Sequence, residues 1–300
     1  MELRVSSCPT VYGEKIVIRV FDPSILMQDL GNMGLFAKER LQFETLMGNT
    51  NGLCLITGPT GSGKTTTLYS SLRYLASPHI NIATIEDPVE MVCEEFNQMA
   101  VQPKIGFSFA EALRTALRQD PDVIMVGEIR DAETAELAVQ AALTGHLVLA
   151  TLHTNDAPSA VNRLMDLGVL PFLLANVLLG VMGQRLVRTI CPDCAAYSVL
   201  REEQLLALHI PGAEGRRLRS RFGEGCPRCR GTGYRGRTGV YELMPVHPRL
   251  AQMLIDKEPS SELRNEARSE GMLTLREYAI LKLAKGITTF DEVMRITDER

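Results

Sequence analysis

The run Gly58-Pro59-Thr60-Gly61-Ser62-Gly63-Lys64-Thr65 limits what this chain can become more than any other stretch. It fills every fixed position of a phosphate-binding P-loop, a motif that works only between a buried strand and a helix. Both flanks fit. Leu53 to Thr57 is an apolar run that reads as a buried strand, and Thr66 to Leu72 reads as the start of an apolar-faced helix. Glycines at 58, 61 and 63 let the backbone curl until its N–H groups face phosphate oxygens at the helix N-terminus. Lys64 would reach the β- and γ-phosphates, and the Thr65 hydroxyl would ligate Mg²⁺. A glycine-rich turn without a ligand is the competing reading, and the strand–loop–helix context argues against it. A nucleotide-binding protein is expected.

With 300 residues the chain has room for one large domain plus smaller ones. A hydrophobic share of 45% with 23% charged residues is that of a globular chain. The net charge of −4 provides no general field for polyanions, which argues against a DNA motor, although Arg216 to Arg221 forms a local basic patch. No segment has the roughly 18 uninterrupted apolar residues of a membrane span. The nearest approach, Leu170 to Leu179, contains Pro171 and Asn176 and reads as a buried helix. The N-terminus lacks the basic start and apolar core of a secretory signal, so a cytoplasmic location is expected.

Four of the seven cysteines form two knuckles, Cys191-Pro-Asp-Cys194 and Cys226-Pro-Arg-Cys229. In a reducing compartment paired CxxC units bind zinc more often than they form disulfides, and a Cys₄ set suits tetrahedral Zn²⁺. The insert between the knuckles is longer than in a usual zinc ribbon. A redox CxxC is the rival reading, but two copies argue against it. Cys8, Cys54 and Cys93 are isolated and read as small apolar residues.

Residues 3–21 read as a β-hairpin turning near Gly13, and a chain that begins inside a hairpin looks like the tail of a larger domain. From about Gly34 helix and strand alternate, the mark of a doubly wound α/β domain. Strands are expected at 53–57, 81–85, 123–126 and 147–151. Ser108 to Glu111 reads as a capping box opening a helix, another helix is expected over 131–143, and a third starts near Asp156. After Leu186 comes the cysteine module. Leu243 to Arg300 reads as helical, with amphipathic pieces at 262–269 and 275–284.

A P-loop enzyme needs acids at the carboxyl ends of neighbouring strands, where the crevice forms. Glu86-Asp87-Pro88 closes the strand at 81–85, and Gly127-Glu128 closes the strand at 123–126. The second resembles a Walker B element with Gly127 in place of the usual aspartate. Magnesium would then rely on Thr65, phosphate oxygens and water, with Glu128 behind them, and Glu86 would be left to orient or deprotonate the attacking water. His153, after the strand at 147–151, stands where a γ-phosphate sensor would sit.

Together these residues resemble the type II secretion and type IV pilus assembly ATPases over the whole chain. The likeness rests on Arg4 to Thr10 with Gly13-Glu-Lys, the run Thr57 to Ser70, and Thr84-Ile-Glu-Asp-Pro-Val-Glu90. Leu117 to Asp122 with Gly127 to Asp131, then Leu143 to Leu147 with His153-Thr-Asn155, complete the core. The cysteine module and Gly233 to Gly239 match the assembly and secretion branches rather than the retraction branch.

The resemblance implies a RecA-like P-loop NTPase core in a mixed α/β chain. By it, residues 1–21 are the remnant of an N-terminal domain, 22–33 a linker, 34–188 the ATPase domain, 189–232 a tetracysteine zinc module and 233–300 a mostly helical subdomain. It implies Glu86, Glu128, Arg4, Arg19 and His153 in catalysis, the two hairpin arginines closing on the γ-phosphate. ATP would be held by Gly58, Pro59, Thr60, Gly61, Ser62, Gly63, Lys64, Thr65, Thr66, Asp87 and His146, with Arg114 and Arg118 near the nucleotide or a subunit interface. ATP, Mg²⁺ and Zn²⁺ are the expected cofactors. The expected partners are five further copies in a homohexamer, an inner-membrane platform and cytoplasmic docking proteins. Membrane contact would run only through those partners, and no nucleic acid is expected. Two rival functions stand beside this reading: a RecA-like nucleic-acid translocase, and a nucleotide-gated scaffold without turnover. The missing length of the family's N-terminal region would weaken activity and ring formation in a fragment.

Overall fold

The computed structural model describes residues 2–21, 26–210 and 218–297, without the side chains of Glu2, Arg4, Arg19 and Phe21. Arg216 and Arg217 of the basic patch, and residues 22–25 of the expected linker, lie outside the described residues.

The strands explain the architecture. Those of the central sheet are β3 (Gly52–Thr57), β4 (Ile82–Glu86), β5 (Asn97–Ala100), β6 (Val123–Val126), β7 (Leu147–Leu152), β8 (Leu178–Ile190) and β11 (Tyr234–Pro245). They lie in the order β11-β8-β3-β7-β6-β4-β5, all parallel except β11 against β8. Every residue of β3, β6 and β7 is buried, because both faces of a parallel sheet must be covered. Alternation then divides each strand between two cores. Leu53 and Leu55, Ile124 and Val126, and Val148 and Ala150 enter one core. Cys54 and Ile56, Val123 and Met125, and Leu147 and Leu149 enter the other.

On the first face lie α3 (Phe109–Ala116), α4 (Ala132–Leu143), α5 (Ala157–Asp166), α6 (Pro171–Val177), α8 (Pro248–Ile255) and α9 (Ser260–Ser269). The second face is covered by α1 (Ala37–Met47), α2 (Lys64–Leu75), α7 (Glu202–Ala207), α10 (Leu275–Ala284) and α11 (Phe290–Thr297). The expected helix starts are capped by Ser108, Asp131 and Asp156, which each accept a backbone N–H of the first turn. The capping box expected at Ser108 is only half formed, because its N–H donates to the Gly106 carbonyl instead of Glu111.

Three elements differ from the sequence expectation. The apolar run at 170–179 is a short helix that gives way at Leu178 to β8, a thirteen-residue strand. Residues 234–245, expected to run from the glycine-rich stretch into a mostly helical region, form the strand β11 that covers β8. The sequence does not announce β5, which at four residues and only half-buried carries little periodic signal.

The N-terminal hairpin, β1 (Glu2–Thr10) and β2 (Gly13–Phe21), forms a separate two-stranded sheet in which Arg4 and Arg19 are cross-strand partners. Residues 33–36, ahead of α1, are strapped to the far end of the chain. Tyr241 donates its hydroxyl to the Met33 carbonyl at 2.9 Å and Lys282 donates to the Gly34 carbonyl at 2.8 Å. The Phe36 N–H donates to the Tyr278 hydroxyl at 2.7 Å. Burial draws the Lys282 pKa down to about 8.

Candidate functional site

α2 opens at Lys64 directly from the loop, with Gly63 at φ +92°. The backbone angle calls for glycine there, and a Cβ at Gly63 would stand 2.8 Å from Gln184 Nε2 and push that side chain out of place. Gln184, buried on β8, is the brace of this loop: it accepts from Thr67 Oγ1 at 2.7 Å and donates to the Ser62 carbonyl at 2.9 Å. Its neighbour Arg185, also buried, donates to the carbonyls of Gln184 and Asn155, each at 3.1 Å. The Thr154 N–H donates to Thr57 Oγ1 at 2.9 Å, so the segment after β7 is tied to both β3 and β8.

Lys64 folds back onto its own loop, donating to the carbonyls of Gly58 at 2.6 Å and Pro59 at 3.2 Å. Burial, opposed by Glu128 and helped by Arg185, draws its pKa down to about 8. The Ser62 hydroxyl is buried without a hydrogen-bond partner. A glycine-lined loop at a helix N-terminus, with a desolvated lysine and an orphan hydroxyl, fits a polyphosphate, and half-buried Thr65 on the first helical turn fits its Mg²⁺.

β7 lies between β3 and β6, so the segment beyond its carboxyl end falls between the P-loop and the acid after β6. His153 Nε2 stands 3.4 Å from Glu128 Oε2, and Arg130 pairs with the other Glu128 oxygen. Burial and the nearby Lys64 charge hold the His153 pKa below its usual value despite Glu128, so the imidazole is neutral at pH 7. Lys64, Glu128 and His153 thus form one electrostatic cluster at the carboxyl edge of the sheet. Gly127 has a steric reason: a Cβ there would come within 3.1 Å of the Ile85 carbonyl and 3.6 Å of Glu86 Cα, leaving an aspartate little room.

Glu86 is placed differently from Glu128. It is 4% exposed, and Tyr69 and Thr84 donate hydroxyls to its two oxygens at 2.7 Å each, with Gln98 Nε2 at 3.3 Å. The sequence expectation leaves this carboxylate free for water; the structure gives it three donors, one of them on the P-loop helix. Asp87 lies close enough to Arg130 to raise that guanidinium's pKa, adding to the stronger effect of Glu128.

His146 lies farther away. It precedes β7, whose first residue pairs with Gly52 at the start of β3, so it stands at the amino edge of the sheet, opposite the P-loop. There its Nδ1 lies 2.9 Å from the Ala141 carbonyl, a structural contact. Arg114 pairs with Glu133 and Glu111, and Arg118 donates to Thr115 Oγ1 at 3.4 Å. The Arg4 and Arg19 side chains lie outside the described part of the structure. Gln184, Arg185, Tyr69 and Arg130 are site residues that sequence reasoning misses.

The tetracysteine module is assembled apart from this cleft. Its two knuckles bring Cys191 Sγ to 3.9 Å from Cys226 Sγ and Cys194 Sγ to 3.8 Å from Cys229 Sγ. Four sulfurs about 2.3 Å from one Zn²⁺ lie about 3.8 Å apart at the tetrahedron's edges, so the set fits zinc. A disulfide would need about 2.05 Å. Burial disfavours the Cys229 thiolate, but N–H donors from Cys226 at 3.1 Å and Gly233 at 3.3 Å prevail and draw its pKa down to about 6. The long insert contains its own sheet, β9 (Ala195–Val199) with β10 (Arg219–Gly223), and α7, whose Leu205 enters the second core.

A P-loop entering a helix from an interior strand of a mostly parallel sheet, with a further strand between it and the acid-bearing strand, defines a RecA-like nucleotide-binding protein. The model of the type II/IV secretion system protein family matches residues 1–295. The chain belongs to that family. It is 49% identical over 296 residues to the "type IV pilus assembly ATPase TfpB" of Acinetobacter baylyi, covering 98% of this chain and 50% of that protein. It is 45% identical over 300 residues to the "type II secretion system ATPase E" of Vibrio cholerae, covering 100% of this chain and 59% of the relative. The chain therefore spans little more than half the length of these relatives. Among solved structures, that of the pilus retraction motor PilT with bound ADP superposes with a TM-score of 0.68 at 29% identity, covering 98% of this chain and 73% of that one. The Legionella pneumophila ATPase DotB shares the fold, with a TM-score of 0.71 at 23% identity, covering 99% of this chain and 73% of that one.

A nucleoside triphosphate should restore the charge on the desolvated Lys64, so binding at pH 9 should take up close to one proton per site. Calorimetry in buffers of different ionisation enthalpy would measure it. The uptake should vanish in Lys64→Arg, and no uptake by the parent would refute the depressed lysine. The purified chain, washed of loosely held metal, should retain about one zinc. Cys191→Ser should lose it and lower the Tm while nucleotide binding persists, and an unchanged Tm after chelation would remove the structural role.

Proposed function

We propose that this chain is the ATP-hydrolysing motor part of a type II secretion or type IV pilus assembly machine, working as a homohexamer. The observation that carries the reading is the cluster of Lys64, Glu128 and His153 around the P-loop, in a chain of this family. Bound Mg²⁺ would supply charge neutralisation to the phosphates from beside Thr65. The backbone of the loop would hold the β-phosphate, and Lys64 would leave the Gly58 and Pro59 carbonyls to reach the β- and γ-phosphates. His153, beside Glu128, would donate to or sense the γ-phosphate. Glu86 would take the attacking water's proton after releasing the Tyr69 hydrogen bond, which couples the base to movement of α2.

Arg4 and Arg19, cross-strand partners on the hairpin, would close on the γ-phosphate and stabilise the transferring group. Hairpin position would then depend on ATP versus ADP, which turns hydrolysis into motion. Arg114 and Arg118, on and just beyond α3, would serve a subunit interface. Fibre assembly from pilins or pseudopilins, an inner-membrane platform and cytoplasmic docking proteins belong to this reading, as does cytoplasmic location with recruitment by those partners. Among the described residues no helix is long and apolar enough to cross a membrane.

Glu128→Gln and Glu86→Gln should each keep Mg-ATP binding while turnover falls by about a hundredfold or more. Lys64→Ala should weaken binding as well. Parental turnover in Glu86→Gln would make its hydrogen-bonded carboxylate purely structural. Arg4→Ala and Arg19→Ala, made in the full-length protein, should cut turnover with ADP affinity nearly unchanged, since ADP lacks the group they would touch. Equal losses for ADP and ATP would end the proposed coupling.

A further inference from the structure

A second group of metal-ligating side chains lies at the opposite edge of the sheet from the P-loop. β11 ends at Pro245, which pairs with Gly180 near the start of β8, beside the first residues of β3. His247 comes two residues later. Glu266 on α9 and Glu270 just beyond it are one helical turn apart and so share a face. One ligand atom from each of His247, Glu266 and Glu270 lies within 4.8 Å of the others.

Three further features make this more than a crowd of charges. His247 Nε2 is buried without a hydrogen-bond partner, a condition that native proteins rarely leave unanswered. The Glu266 side chain is only 10% exposed, and its charge is met by Arg249 Nε at 3.1 Å. That arginine is 76% exposed, and its contact with Glu266 does nothing for the histidine. A cavity of about 210 Å³ opens beside the group, bounded by Gln42, Leu243, Pro245, His247, Glu270 and Met272. It has room for an ion and its waters.

We propose that His247, Glu266 and Glu270 form a divalent-metal site, separate from both the nucleotide cleft and the tetracysteine module, with Zn²⁺ as the best-suited ion. One imidazole and two carboxylates are a zinc donor set, and three protein ligands leave a fourth position open towards the cavity. Ligand atoms about 2.1 Å from the ion would sit about 3.4 Å apart. Exposed Glu270, at the end of its helix, is the ligand able to swing in to reach that spacing. Bound metal would pin the end of β11 to α9 and so fix the packing of the C-terminal helices on the first core.

The test is a titration of the whole chain with Zn²⁺ alone, after its tetracysteine site has been filled and the excess removed. One further equivalent should bind, and it should raise the Tm. His247→Ala and Glu270→Gln should each weaken this equivalent about tenfold or more while the first zinc stays in place. Co²⁺ in the second site should give visible bands without the intense thiolate charge transfer of the cysteine site. Glu270 is exposed, so its glutamine variant should fold as the parent does and decides the matter should His247→Ala misfold. No further equivalent, or one bound equally well by Glu270→Gln, overturns the site; the latter would mark adventitious binding to surface histidines. Neither outcome bears on ATP turnover.

Discussion

A loop that binds polyphosphate through its backbone must hold its N–H groups towards the ligand while its ends stay fixed. Gly58, Gly61 and Gly63 permit that shape but cannot enforce it, since glycine widens the choice of conformations. Enforcement comes from Gln184, which reaches from β8 to bond both the Ser62 carbonyl within the loop and Thr67 on the first turn of α2. The amide thereby joins loop, helix and sheet, and its own position is secured because β8 is sandwiched between β3 and β11. Arg185, one residue on, extends the same fixation to the segment that carries His153.

The two carboxylates illustrate how one fold prepares like groups for unlike work. Glu128 stands in a charged setting, with Lys64, Arg130 and His153 around it. Glu86 is enclosed by neutral donors, two hydroxyls and an amide. A carboxylate satisfied by neutral hydrogen bonds can be freed by a small shift of Tyr69, whereas one held by cations is bound more tightly to its surroundings. Because Tyr69 belongs to the helix whose N-terminus forms the end of the P-loop, movement of that loop and the freedom of Glu86 are mechanically linked.

Much of the fold and part of the site are legible in the sequence, and the reasons for the remainder are physical. The buried strands 53–57, 123–126 and 147–151 are readable because parallel strands covered on both faces are unbroken apolar runs. The knuckle cysteines and the helix caps announce themselves by local spacing. Gln184 and Tyr69 do not, because their partners are set by the tertiary fold: Gln184 is 117 residues from Thr67. Leu170 to Leu179 is apolar enough for helix or strand, and it is in fact a helix giving way to a strand. His146 can be set aside by direction alone, since it precedes its strand while ligands of such sheets collect beyond the carboxyl ends.

The strap on Met33, Gly34 and Phe36 has a temporal meaning. Its anchors, Tyr241, Tyr278 and Lys282, are between 208 and 248 residues downstream. During synthesis from the N-terminus the hairpin and the P-loop strand leave the ribosome long before these three anchors exist, when α2, through Ser70 and Arg73, is there to bond Gln28 and Met27. Closing so long a loop is entropically slow, so the join comes last. Until the last of those anchors has emerged, the segment rests on α2 through Met27 and Gln28 but has no hold from the far end of the chain.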